Sequence, residues 1–139
     1  MKRVITQETR ELRKLDFGMK CMQIQNRPDG NDFGHFHYSI EVTRGNSSHH
    51  THYSCGSAWQ DNQGKPIPPQ LSDVIYSLFS DSADCYDDFE EFCDSYGYDN
   101  DSIKAMSVYN AVVAQNKLLE KSGLFDGIRE KIAEILEEY

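Results

Sequence analysis

Alternation of apolar and polar side chains is clearest over His35–Thr43. Phe36, Tyr38, Ile40 and Val42 fall on one side of an extended chain, and His35, His37, Ser39 and Glu41 fall on the other. The pattern predicts a strand with one buried face. Two neighbours share the period: Met19–Asn26, with Met22 and Ile24 on one face and Gln23 and Gln25 on the other, and His49–Gly56, with Thr51, Tyr53 and Cys55 inward. The turn signals Arg27-Pro-Asp-Gly-Asn-Asp and Arg44-Gly-Asn-Ser-Ser separate them. Setting Tyr38 opposite Tyr53 brings Ile40 across from Thr51 and Phe36 across from Cys55. Every apolar side chain of the pair then shares one face. Connections this short predict an antiparallel meander.

After Pro68-Pro69 the period changes to that of a helix. Leu71, Val74, Ile75 and Leu78 predict a helix over 70–80. Phe89, Phe92, Cys93 and Tyr96 predict a short one over 88–95, ended by Gly97. A long helix is expected over 102–122, with Ile103, Met106, Tyr109 and Val113 inward, Asp99 or Asp101 as its cap and Gly123 as its C-cap. At about 1.5 Å per residue it spans about 30 Å, long enough to be the spine of the molecule. A last helix over 125–139 buries Ile128, Ile132, Ile135 and Leu136. The expected fold class is α+β: a three-stranded antiparallel meander covered by three or four helices. Residues 1–17 form an N-terminal arm or short helix, with Leu12 and Leu15 as its apolar pair, and 18–139 a single domain. Trp59 is expected to pin the loop 57–69 to the core, with an exposed anchor for a partner as the alternative.

Composition narrows the function classes. In 139 residues, eight Tyr and seven Phe take the chain out of the disordered class and suit contact surfaces. The formal net charge is −9, unevenly spread: residues 1–20 carry six basic and three acidic groups, and residues 66–103 carry ten acidic groups and no basic one. A face built from the second block repels nucleic acid and attracts a basic partner, although acidic helices are also ordinary solvated surface. Cys21, Cys55, Cys85 and Cys93 form no CxxC pair, and the start of the chain has no secretory pattern. Reduced, mostly buried thiols in the cytoplasm of a cell are the simple expectation. No run is long enough to span a membrane.

Candidate chemistry is sparse. His35, His37, His49, His50 and His52 fall within eighteen residues, and four of them share the sheet face opposite Tyr38. Imidazoles on adjacent strands could hold a transition metal with Glu41 orienting a ring, but no zinc spacing is present. Asp81-Ser-Ala-Asp and Asp99-Asn-Asp-Ser lack the glycine and glutamate of a calcium loop. Nucleophile elbow, phosphate loop, dinucleotide fingerprint and metalloprotease motif are all missing. No catalytic residue, metal or cofactor is expected.

The aromatic turn Tyr96-Gly-Tyr98-Asp99 is the most specific local feature. Tyr98 packs at the root of the long helix or stands exposed among carboxylates, where it would make a hot spot for a partner bearing Arg or Lys. The surrounding run Phe89-Glu-Glu-Phe-Cys-Asp-Ser-Tyr-Gly-Tyr-Asp-Asn-Asp-Ser102 resembles a motif of small bacteriophage and prophage proteins, as does 69–84 upstream. The resemblance covers roughly 68–119 and implies an accessory protein that blocks a host or defence protein, a CRISPR effector among the candidate targets. Asp84, Asp87, Asp88, Glu90, Glu91, Asp94, Asp99 and Asp101 would supply charge and Tyr98 apolar area. The rival expectations are a homo-oligomeric structural protein, joined through the aromatic sheet face or the last helix, and a histidine-centred metal protein or enzyme. Direct nucleic-acid contact through residues 2–20 is disfavoured by the overall charge.

Overall fold

The computed structural model describes residues 5–24, 36–55, 62–65, 67–83 and 88–137. Expectations for the turn at 27–32, for His35, Trp59, Cys85, Asp84 and Asp87, and for much of the loop at 57–69 lie outside these residues. Among the described residues, five helices and three strands follow in the order α1 (Gln7–Lys14), β1 (Phe17–Ile24), β2 (Phe36–Arg44), β3 (Ser47–Cys55), α2 (Leu71–Ala83), α3 (Phe89–Tyr96), α4 (Ile103–Ser122) and α5 (Arg129–Glu137).

The sheet is an antiparallel meander in the order β1-β2-β3. Its β2–β3 register is the one the side-chain pattern demands, with Tyr38 opposite Tyr53, Ile40 opposite Thr51 and Phe36 opposite Cys55. β1 starts two residues earlier than its alternation suggests. Met19 and Cys21 lie across from Val42 and Ile40, so Phe17, Met19 and Cys21 take the core side. Met22 and Ile24 therefore face outward, Met22 being 69% exposed. One-residue parity decides this, and the larger apolar surface of Phe17 with Met19 outweighs that of Met22 with Ile24.

The inner face is covered by α1, α2, α4, α5 and the turn between α4 and α5, with α4 lying against β3. Leu12, Phe17, Tyr38, Ile40, Val42, Leu71, Val74, Ile75, Leu78, Leu119, Leu124, Phe125, Ile132 and Ile135 form one buried cluster. Thr6 caps α1 by accepting from the Thr9 amide at 3.2 Å. The buried Thr9 hydroxyl lies 3.1 Å from Gln70 Oε1 and 3.0 Å from Ser72 Oγ, which ties α1 to the start of α2. Arg44 at the end of β2 donates to the carbonyls of Leu124 at 3.3 Å and Asp126 at 2.7 Å and so anchors the α4–α5 turn.

α4 contacts β3, α2 and α3, but the side it turns inward is not the stripe of Ile103 and Met106 that the sequence suggests. It buries only Ala105, Asn116 and Leu119, while Ile103 is 88% exposed and Met106 lies at the surface. Its N-cap is Ser102, whose Oγ accepts from the Ala105 amide at 3.1 Å; neither Asp99 nor Asp101 serves. Instead α3 and the first half of α4 build a satellite core. Phe92, Cys93 and Ala105 are buried there, with Phe89, Tyr109 and Val112 packed around them.

Gly123 closes α4 in the left-handed region at φ 69°, and a Cβ there would lie 3.0 Å from Asp126 Oδ2. Gly123→Ala is expected to cost about 1–2 kcal/mol, read as a lower urea midpoint at unchanged slope.

Candidate acidic interface

α3 begins with the Asp88 carboxylate, which accepts from the Glu91 amide at 2.8 Å. It ends at Gly97 in the left-handed conformation, which frees the chain to turn back as Tyr98. Between these caps, Phe89, Phe92 and Cys93 point to the satellite core. At about 100° per residue this leaves Glu90, Glu91 and Asp94 together on the opposite side of the helix. All three are exposed, as are Asp88, Asp99 and Asp101.

Asp94 and Asp99 belong to one neighbourhood because both act on the same thiol. Burial raises the Cys93 pKa, and the charges of Asp94 and Asp99 raise it further. Cys93 Sγ also donates to the Asp99 carbonyl at 3.9 Å. The buried thiol stays protonated at neutral pH and is no nucleophile. Tyr98 sets its ring 5.9 Å from that of Phe92 at a tilt of 41° and keeps 45% of its surface exposed. It is thus both a packing residue and a surface aromatic beside the carboxylates.

Two details set this surface apart from an ordinary solvated helix. The last turn of α3 carries Asp94 and no basic residue. A carboxylate at a helix C-terminus opposes the macrodipole and costs a few tenths of a kcal/mol, so helix stability is not what places it there. The described part of the basic N-terminal segment also packs elsewhere. α1 contacts α2, α5 and β1, Lys14 pairs with Glu11 at 3.0 Å, and Arg10 donates to the Ile5 carbonyl. Asp84 and Asp87 lie outside the described residues.

The histidines divide between the two faces of the sheet. On the outer face His37 Nδ1 lies 3.0 Å from His52 Nε2, and His50 Nε2 lies 3.0 Å from Glu41 Oε2. Among the described residues no three His, Cys, Asp or Glu side chains are arranged to hold a metal ion. His49 sits opposite Val42 on the inner face, 5% exposed. Strand parity alone could have singled it out. Gln115 Nε2 of α4 donates to His49 Nε2 at 2.7 Å, which keeps that nitrogen unprotonated.

Burial, helped by repulsion from His50, lowers the His49 pKa below its ordinary 6.5. Below pH 6.5 the unfolded chain takes up a proton that the folded chain refuses. This contribution to stability is complete above pH 6.5 and is lost as pH falls toward the lower folded value. The urea midpoint is expected to fall between pH 7 and pH 5, and His49→Gln to flatten part of that slope.

The aromatic face of the sheet is closed to a second copy, because Tyr38 lies beneath the helices, and Ile132 and Ile135 of α5 are buried in the same cluster. No described helix is long and apolar enough to cross a membrane. No family model, no curated protein and no solved structure matches the chain. Its class is therefore defined by its own geometry: a small α+β protein, a meander sheet covered on one face, with an acidic helix carried on a satellite core.

Proposed function

We propose that this protein works by contact and not by catalysis, binding a basic surface of another macromolecule through the acidic side of α3 and the turn into α4. Asp88, Glu90, Glu91, Asp94, Asp99 and Asp101 supply the charge, and Tyr98 supplies the apolar anchor. The observation that carries this reading is the convergence of Glu90, Glu91 and Asp94 on one exposed helical side, continued by Asp99 around Cys93, within a stretch, 66–103, whose sequence carries no Lys or Arg. Dense carboxylates compete for the Lys/Arg groove that would otherwise hold phosphates. An aromatic ring among them gives such a contact a desolvated centre.

The resemblance of Phe89–Ser102 to phage and prophage proteins supports a more specific form of the reading. In it the protein is an accessory inhibitor of a host or defence protein, acting in the host cytoplasm, with a CRISPR effector as one candidate target. The test is parallel capture from host lysate by the wild-type protein and by a variant with Glu90, Glu91 and Asp94 changed to Lys, identified by mass spectrometry. A specific protein retained by the wild type and lost by the variant supports the reading; equal capture removes it.

A further inference from the structure

Besides the stripe that the fold uses, α4 carries a second stripe of small residues with a large apolar residue at each end. Ala105, Tyr109, Val112, Asn116 and Leu119 face α3 and the body of the protein. On the opposite side Ile103, Ser107, Ala111, Ala114 and Leu118 recur at helical spacing and are all exposed, Ile103 by 88% and Leu118 by 58%. Ile103 and Leu118 thus leave large apolar surface at the two ends of a stripe of small residues.

We propose that a second copy of this chain covers the outer stripe, with the two α4 helices antiparallel about a two-fold axis near Ala111. The stripe is self-complementary under that operation. Its midpoint falls between Asn110 and Ala111. Reversal sets Ile103 against the partner's Leu118 and Ser107 against the partner's Ala114. The small residues in the middle let the axes approach to about 8 Å, and the two large residues fill each end.

Charge selects the antiparallel sense. Asp99 and Asp101 precede the N-terminus of α4, and Lys117 and Lys121 lie near its C-terminus, all exposed. No ion pair within the chain among the described residues involves any of the four. Antiparallel pairing brings the partner's Lys121 to Asp101, whereas parallel pairing would set lysine on lysine and aspartate on aspartate. Lys104 and Lys117 lie on opposite edges of the stripe, and the two-fold axis keeps them apart. The acidic side of α3 stays uncovered, because α3 packs on the other side of α4. The pairing draws Asp101 into the seam and leaves Asp88, Glu90, Glu91 and Asp94 of each chain exposed, so a dimer would present two such α3 surfaces.

Sedimentation equilibrium of the full chain through the micromolar range tests it. The expected mass is twice that of the 16.0 kDa chain at the upper concentrations. Leu118→Glu is expected to weaken dimerisation at least about tenfold, with helix content preserved because the side chain lies at the surface. Lys121→Glu and Asp101→Lys are each expected to weaken the dimer, and their combination to restore it, since only the antiparallel arrangement joins these two positions. A monomer at every concentration overturns the proposal, as does a dimer indifferent to Leu118→Glu. Failure of the double charge exchange to restore association overturns the antiparallel arrangement.

Discussion

Ile40→Ala is expected to lower the unfolding free energy by about 2–5 kcal/mol, a large share of the roughly 5–15 kcal/mol that holds a domain of this size together. Ile40 is 1% exposed at the middle of the central strand, with Cys21 and Thr51 as its cross-strand neighbours. It belongs to the cluster that joins the sheet to α1, α2 and α5, so a cavity there loosens every layer at once. The transfer and cavity terms add, because the sheet backbone on both sides cannot collapse into the void. Met22→Ala is the matched control. Met22 is apolar and sits in the same sheet, but it lies on the outer face, and its removal should change stability by no more than about 0.5 kcal/mol. Urea denaturation of the two variants distinguishes them directly. Similar losses in both would mean that the outer face is buried after all.

Changing Glu90, Glu91 and Asp94 to Lys should cost about ten- to a hundredfold in affinity for a captured basic partner, or about 1.4–2.8 kcal/mol. The loss should fall mainly on the association rate and should shrink as salt is raised, because exposed charges steer encounter more than they hold the complex. The same exchange puts lysines into the first turn of α3, which the helix dipole disfavours by a few tenths of a kcal/mol. The corresponding Glu90→Gln, Glu91→Gln and Asp94→Asn variant removes charge without that penalty. It should reproduce a smaller part of the effect with melting unchanged. Affinity unaltered in both variants would place the contact elsewhere. A Tyr98→Ala exchange then tells whether the aromatic anchor acts without the carboxylates.

Much of the local structure was legible before any coordinates. Period two and period 3.6 are imposed by backbone geometry, so the meander, the β2–β3 register and four of the helices follow from side-chain order alone. Glycine at 97 and at 123 marks helix ends because other residues resist φ near 70°. The shared side of Glu90, Glu91 and Asp94 is likewise a matter of counting residues around a helix.

What the tertiary structure decided is which apolar surfaces are covered. The sequence assigns Met22 to a face but cannot say which face wins, since that depends on Phe17 and Met19 meeting Val42 and Ile40 across the ladder. It shows that α4 is long and apolar but not that α4 turns Ala105, Asn116 and Leu119 inward and leaves Ile103 and Leu118 at the surface. Nor could it pair His49 with Gln115, or bring Asp94 and Asp99 to one thiol. Periodicity is a property of each segment, whereas burial is settled by competition among all segments for a limited core, and that competition has no signature in any one of them.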